Sequence, residues 1–287
     1  MGVRQRVARS RELVAAGYPV AVVARVAGIS RQAIYRKPRR PPRGQRRPLD
    51  RIDRHVLAVA RDNPTNGTRM IAALASRDAG RAVNRKRVQR LMGEHRLLQP
   101  SRSEGRRKRP GYFQVTRPDE LWHLDMTSIW VAEHGWCYLN AAIDCCTREI
   151  AGWALDIRCR KEEAITVIDR AVAERDVHAG MLTLGTDNGT AYTSRQFRAR
   201  LTDLGVTHRR GGYRDPESQA FIESWFSKLK LRCVWREELE TLAQPRETIA
   251  TYINDYHHRP HSGLNYRTPR EVAATWHDYD NQLKDTA

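Results

Sequence analysis

Three carboxylates in three different settings, Asp125, Asp187 and Glu223, carry the most chemical information in this chain. Asp125 interrupts an extended apolar stretch, Leu121 to Val131. Asp187 follows a short apolar run, Met181 to Leu184, and leads into Asn188-Gly189. Glu223 lies in a helical pattern, Gln219 to Leu231, with 35 residues between it and Asp187. Acids that converge repel one another and lose solvation, so bringing them together requires a compensating charge. A divalent metal supplies it. Acidic oxygens hold two Mg²⁺ ions roughly 4 Å apart, which activate a nucleophile and steady the leaving oxygen of a phosphodiester. Taken singly, the three are ordinary: a strand residue, a turn residue and a solvated helix position. The elements that carry them decide whether they meet.

From about residue 119 the pattern predicts three extended segments, Leu121 to Val131, Trp136 to Asp144 and Glu149 to Ile157. Gly135 and Thr147-Arg148 mark the breaks of an antiparallel meander. A helix over Lys161 to Asp176 follows, with Ala164, Ile165, Ile168, Ala171 and Val172 on one face. Then come a short strand at Met181 to Leu184, a helix at Ser194 to Leu204 and a strand at Val206 to Arg209. This order matches an α/β, ribonuclease-H-like core, a mixed five-stranded sheet flanked by helices. In it, the first acid comes from the first strand, the second from the end of the fourth and the third from a later helix. Asp215-Pro216-Glu217-Ser218 reads as the start of that helix. Ile222, Trp225, Phe226 and Leu229 form its buried stripe, and Glu223 and Lys230 share the neighbouring face. Glu217 is accounted for by helix initiation. Asp144, at the end of the second strand, is expected to take a structural hydrogen-bonding role. Vicinal Cys145-Cys146 is expected in a strand.

Charge is divided unevenly along the chain. Residues 1–110 hold 29 Lys/Arg against 7 Asp/Glu, and residues 111–287 hold 22 against 26. A basic front part that neutralises phosphates and a near-neutral back part built around acids imply a nucleic-acid partner. Residues 10–37 read as helix, helix, turn, helix, with Gly28 as the turn and Ser30 as the cap of a helix carrying Arg31, Gln32 and Arg36. A second helix of this kind lies in the major groove, within reach of base edges. In a second helical unit, Asn84 caps a helix whose Val88, Leu91 and Met92 face inward while Arg85, Lys86, Arg87 and Arg90 project outward. Residues 37–48, with four prolines and six basic residues, form a stiff linker, and Ser101 to Pro110 forms another. The expected organisation is therefore a helix-turn-helix DNA-binding unit at 1–37, a linker at 38–49, a second helical DNA-binding domain at 50–100 and a linker at 101–115. The catalytic core spans 116–235, with a C-terminal helical extension at 236–287. These small all-α units precede the core.

No stretch approaches the roughly 20 apolar residues of a membrane span, and the first residues lack the apolar segment of a secretion signal. Five cysteines without a Cys-x-x-Cys pair imply neither a disulfide framework nor a zinc site. A cytoplasmic, nucleoid-associated location is expected. His257, His258 and His261 cluster, but without matching cysteines they read as a polar helix end.

The chain resembles the second-reading-frame transposases of the insertion sequence three family, nearest the insertion sequence two group, within the retroviral-integrase-like DDE superfamily. The resemblance rests on Asn84-Arg85-Lys86-Arg87-Val88 with Arg90-Leu91-Met92, Trp122-His123-Leu124-Asp125 and Ala142 to Glu149. It continues through Thr186-Asp187-Asn188-Gly189, Pro216-Glu217-Ser218 with Glu223, and the closing Tyr256 to Arg259, His261-Ser262, Leu264, Tyr266 and Pro269-Arg270-Glu271. Asn66-Gly67-Thr68-Arg69 and Gln219-Ala220 depart from the usual pattern. The resemblance implies metal-dependent DNA cleavage and strand transfer at the ends of an insertion sequence, without a covalent enzyme intermediate. It implies two Mg²⁺ ions, with Mn²⁺ as substitute, held by Asp125, Asp187 and Glu223, with Asp125 bridging. DNA contacts would come from Arg31, Gln32, Arg36, Arg85, Lys86, Arg87, Arg90, Lys228 and Lys230. Partners would be terminal inverted repeats, target DNA, further copies of the chain and an upstream-frame protein. A catalytically silent regulator would have a broken triad, and a ribonuclease H or junction-resolving nuclease would present four acids and lack the upstream helical units.

Overall fold

A computed structural model describes residues 2–36, 48–99, 115–211 and 219–276. The chain forms two compact units, 1–51 and 52–287. The linkers at 38–49 and 101–115, and the helix start at Asp215–Ser218, fall largely or wholly outside the described residues.

In the first unit, α1 (Val3–Ala15), α2 (Val20–Ala27) and α3 (Arg31–Tyr35) enclose Val23, Ala24 and Ile34. Gly28 closes α2 at φ +60, a conformation that other residues rarely adopt. The Ser30 side chain accepts from the Ala33 amide and starts α3. Arg11 binds the α3 end by donating to the Ile34 carbonyl at 2.9 Å.

The second unit begins with α4 (Arg51–Asp62), α5 (Thr68–Asp78) and α6 (Arg85–Glu94), closed over Val56, Leu57, Ile71, Val88, Leu91 and Met92. Asn84 caps α6 through the Lys86 amide at 2.8 Å. The sheet follows: β1 (Leu121–Val131), β2 (Gly135–Asp144), β3 (Ile150–Asp156), β4 (Thr183–Thr186) and β5 (Thr207–Arg210), in spatial order β3-β2-β1-β4-β5. The β1–β2–β3 meander is antiparallel, and β4 and β5 run parallel to β1. One face packs α7 (Lys161–Glu174), the short α8 (Thr190–Thr193) and α9 (Arg195–Asp203) around Trp122, Leu124, Ile168 and Phe197. The other packs α10 (Ala220–Arg232) and α11 (Ala243–His257) around Ile129, Leu139, Ile222, Trp225 and Tyr256. A last helix, α12, covers 269–276.

The stripe on α10 explains its orientation. Ile222, Trp225, Phe226 and Leu229 are all buried, and each such side chain contributes roughly 1.5–3 kcal/mol when fully removed from water. This burial locks the helix against the sheet, so residues on its flanks have fixed directions.

Two expectations are revised. The fourth strand starts two residues later than Met181, because its pairing with β1 begins at Leu121–Thr183, and it therefore ends directly before Asp187. Cys145 and Cys146 occupy a turn after β2, formed because Asp144 gathers the following amides. Its Oδ1 accepts from Cys146 at 2.7 Å and Thr147 at 2.8 Å, and its Oδ2 accepts from Asp119 at 2.8 Å. Asp144 thus has the structural role expected of it.

Candidate active site

Asp125 lies in the middle of β1, opposite Ala141 of β2. On its other side, β4 pairs in the register Leu121–Thr183, Trp122–Leu184 and His123–Gly185. Extending that register by two residues brings Asp187, the first residue beyond β4, level with Asp125. Side chains alternate along a strand, and the His123 ring stacks on Phe221 of α10 at 6.0 Å. Asp125 therefore shares the α10 face, whereas Trp122 and Leu124 enter the opposite core.

The loop after β4 holds Asp187 in one conformation. Its Oδ1 accepts from the Gly189 amide at 2.8 Å. A Cβ at position 189 would stand 2.9 Å from that oxygen, so glycine permits the approach. Asn188 Nδ2 donates to the Gly211 carbonyl at 2.9 Å, and the Gly211 amide donates to the Thr186 carbonyl at 2.9 Å. Glu223 sits in the first turn of α10, where the helix dipole favours a carboxylate. On α10, at 100° per residue, Glu223, Ser227 and Lys230 line one flank, and Phe221, Lys228 and Arg232 line the other.

Electrostatics connect the three acids. Burial pushes the Asp125 carboxyl up to about 6, and Asp187 and Glu223 push it in the same direction, against one favourable bond from the Met126 amide. No cation is among the groups acting on it. The other buried acids differ. Glu149 pairs with Arg175 at 3.2 Å and Arg270 at 3.4 Å, and Asp144 has Arg175 at 3.8 Å. Asp125 thus lacks the kind of cationic partner that Glu149 and Asp144 have, and the all-oxygen donor set it would form with Asp187 and Glu223 suits a hard divalent ion. Among the described residues no three His, Cys, Asp or Glu side chains are already drawn together closely enough to hold an ion.

A stability consequence follows. A carboxyl whose folded pKa is raised to about 6 costs the folded state stability as pH rises toward that value, and the full cost is present above it. Asp125→Asn should therefore stabilise the metal-free protein at pH 7.5, by about 1–2 kcal/mol after allowance for solvent screening. The gain should vanish below pH 4. Thermal melts in EDTA at the two pH values would measure it, and equal gains at both would contradict the electrostatic account.

Sequence pattern alone does not single out Tyr192. It is buried in α8, its hydroxyl donates to Asn140 Oδ1 at 3.4 Å, and burial together with Asp125 and Asp187 pushes its phenol pKa well up, so ionisation is strongly disfavoured. Its place three residues after Gly189, in a short helix where its ring meets Phe197 edge to face, is the signal that could have revealed it. His123 also belongs to the site's floor, beneath Phe221, whose ring carries the Arg148 guanidinium 3.1 Å from its centroid.

The residues expected at DNA fall into different settings. Arg31, Gln32 and Arg36 are exposed on or beside α3, and Arg85 and Lys86 are exposed at the start of α6. Arg87 departs from the outward direction expected of it: its Nε donates to the buried carboxylate of Asp53 at 2.7 Å. Arg90 is exposed and pairs with Glu94 at 3.1 Å, with Asp53 at 3.9 Å. Lys228 is half-buried, and burial, Arg232 and Arg148 lower its pKa. Lys230 is half-buried on the Glu223 flank. The clustered histidines serve structure. His257 Nε2 accepts from the Ile150 amide at 2.9 Å, His258 Nδ1 lies 2.9 Å from the Asn254 carbonyl, and His261 Nδ1 accepts from Gly263 at 3.1 Å.

The α4–α6 unit is tied to the core by side chains. Arg232 donates to Asn66 Oδ1 at 2.7 Å, Arg259 reaches Asn63, and Arg77 pairs with Glu271.

The chain is similar to several known proteins. Two family models described as integrase core domain match residues 115–216 and 204–269, and an HTH-like domain model matches residues 48–108. Transposase InsD for insertion element IS2-9 of Escherichia coli (strain K12) is 28% identical over 292 residues, covering 93% of this chain and 93% of that protein. The transposase for insertion sequence element IS904 of Lactococcus lactis subsp. lactis (strain IL1403) is 30% identical over 161 residues, covering 55% of this chain and 63% of its own length. Among solved structures, the simian T-cell lymphotropic virus intasome in complex with PP2A regulatory subunit B56 gamma aligns with TM-score 0.49 at 16% identity, over 75% of this chain and 74% of that one. The HTLV-2 integrase catalytic core domain in complex with magnesium aligns with TM-score 0.33 at 18% identity, over 40% and 70%.

Proposed function

The chain belongs to the insertion-sequence transposases of the DDE superfamily, and from that premise we propose that Asp125, Asp187 and Glu223 are its catalytic, metal-holding residues. The observation that carries this reading is that Asp187, at the end of β4, and Glu223, on α10, both push up the carboxyl of Asp125 on β1. The substrates are the terminal inverted repeats of the element and its target DNA.

When bound, divalent ions activate the attacking hydroxyl and offset charge on the leaving oxygen. Two Mg²⁺ ions, with Mn²⁺ as substitute, would be held by Asp125, Asp187 and Glu223. The chain's own part is placement. Asp125 is held between two paired strands. Asp187 commits one oxygen to the Gly189 amide and keeps the other for a ligand. Glu223 rides on a helix fixed by its buried stripe. Tyr192 cannot serve as a covalent nucleophile at neutral pH, because its phenol is buried and strongly disfavoured as an anion. Attack therefore falls to water or to a terminal 3′-hydroxyl.

DNA is engaged in this reading by Arg31, Gln32 and Arg36, by Arg85, Lys86 and Arg90, and by Lys230 and Lys228 beside the reacting bond. Two ends must be processed together, so the active form is an oligomer of this chain on DNA, with an upstream-frame protein as fusion or partner. Among the described residues no helix is long and apolar enough to cross a membrane. A nucleoid-associated location fits the substrate.

The direct test incubates the purified chain with labelled element ends, target plasmid and Mg²⁺. Joined products that disappear with EDTA are expected, and absence of any cleavage or joining with Mg²⁺ or Mn²⁺ would count against the assignment.

Lys230 gives a sharper prediction. It lies seven residues beyond Glu223 on the same flank, about 10 Å along the axis, so its ammonium can meet a phosphate beside the scissile bond. Lys228 is on the opposite flank near Arg148 and Arg232. Lys230→Ala should cut crosslinking to the terminal base pairs about tenfold, as expected for removing one charge-assisted hydrogen bond, with Lys228→Ala cutting it less. Equal effects of the two substitutions would contradict the flank assignment.

A further inference from the structure

Three tryptophans on the core remain exposed and serve no part of the chemistry above: Trp130 at 56%, Trp136 at 55% and Trp235 at 70%. They line one cavity of about 640 Å³ at the far end of the β1–β2 hairpin, and Glu237, Glu238 and Glu240 line it with them. The setting is rigid. Trp130 and Trp136 are paired across the hairpin and meet edge to face at 5.3 Å. The Ala132 amide donates to the Leu239 carbonyl at 2.8 Å and the Glu133 amide to the Glu240 carbonyl at 2.9 Å, which fixes the acidic segment beside them. Exposed aromatic groups concentrated in one groove mark a docking surface.

Charge decides what docks. The groove carries three carboxylates against one ammonium, that of Lys230, so its lining favours a cationic apolar ligand. The chain contains a segment of that chemistry. Residues 37–48 hold Pro38, Pro41, Pro42 and Pro48 with six Lys/Arg and no acid. Proline-rich segments are already ordered in a polyproline helix with three residues per turn, and such ligands seat in aromatic-lined grooves at low entropic cost. Arginine stacks on indole rings and pairs bidentately with carboxylates.

We propose that the tryptophan groove binds the proline- and arginine-rich segment 37–48 of a second copy of this chain, tying neighbouring copies together. The choice of a second copy rests on the paired-end reading above, and the experiment is free of metal and of any cleavage step, so its failure is separate from failure of that reading.

The test uses the full chain carrying Gln45→p-benzoylphenylalanine, prepared in light and heavy nitrogen, mixed, irradiated and analysed by mass spectrometry. Crosslinks from the 37–48 segment to residues 128–136 or 234–240 in mixed-isotope pairs are expected. Trp130→Ala with Trp136→Ala, and separately Glu237→Gln with Glu238→Gln and Glu240→Gln, should each lower their yield about tenfold. Both sets replace surface side chains, and circular dichroism would confirm an unchanged fold. Crosslinks only within one copy, crosslinks spread elsewhere, or yields unchanged in both sets would overturn the proposal. So would displacement of the crosslink by a single-stranded oligonucleotide, which would make the groove a base-stacking surface.

Discussion

Asp125→Asn, Asp187→Asn and Glu223→Gln should each reduce cleavage and strand transfer by about 10³-fold or more, because an amide keeps the shape of the carboxylate but not the charge that holds a divalent ion. Binding to the element ends should stay within about threefold of the unmodified chain, since phosphate recognition is assigned to other residues. The two readouts separate a chemical defect from a folding defect. The loss should be of similar size at all three positions although their settings differ, with Asp125 half-buried and Asp187 and Glu223 exposed. Joining measured with labelled ends and filter or gel-shift binding on the same preparations would check both halves. Near-normal joining by any one variant would remove that residue from the site.

A second large effect is expected from salt. Residues 1–110 carry 29 Lys/Arg against 7 Asp/Glu. If about six phosphates are neutralised, affinity for element ends should fall about 10³-fold between about 50 and 200 mM salt. Replacing Arg31, Arg36, Arg85 or Lys86 by Ala should weaken binding and lower the log–log salt slope by about one for each phosphate left without its cation. Substitution is a cleaner test than truncation at residue 110, because the α4–α6 unit is bonded to the core through Arg232–Asn66 and Arg77–Glu271. Arg87→Ala should behave differently. It leaves the buried Asp53 short of its 2.7 Å partner, so its main effect should be on stability rather than on the salt slope. A salt slope unchanged by all of the exposed substitutions would place recognition elsewhere.

What the sequence makes legible follows from what local pattern encodes. The bounds of β1 emerge from apolar alternation broken by one acid. The stripe Ile222, Trp225, Phe226 and Leu229 determines which flank of α10 Glu223 occupies. Asp144 is readable as structural from its place at a strand end. The rest depends on distant partners. The start of β4 is set by pairing with a strand some 60 residues earlier, which hydropathy alone cannot reveal. Arg87 turns toward Asp53, 34 residues away, although its helical position predicts an outward direction. The Cys145-Cys146 turn exists because Asp144 collects three amides, one of them from Asp119. Tyr192 and the Trp130–Trp136–Trp235 groove draw on separate segments that only the folded sheet and its flanking helices bring together.

The central claim, that Asp125, Asp187 and Glu223 form one divalent-metal site, is most directly tested by Mn²⁺ binding read by electron paramagnetic resonance on the DNA-free chain. At pH 7.5 the unmodified chain should take up Mn²⁺. Uptake should fall as pH drops through about 6, where the Asp125 carboxyl is protonated and no longer available as a ligand. Asp125→Asn should bind much more weakly across the whole range and show no such pH step. Uptake by Asp125→Asn, Asp187→Asn and Glu223→Gln equal to that of the unmodified chain would contradict the account.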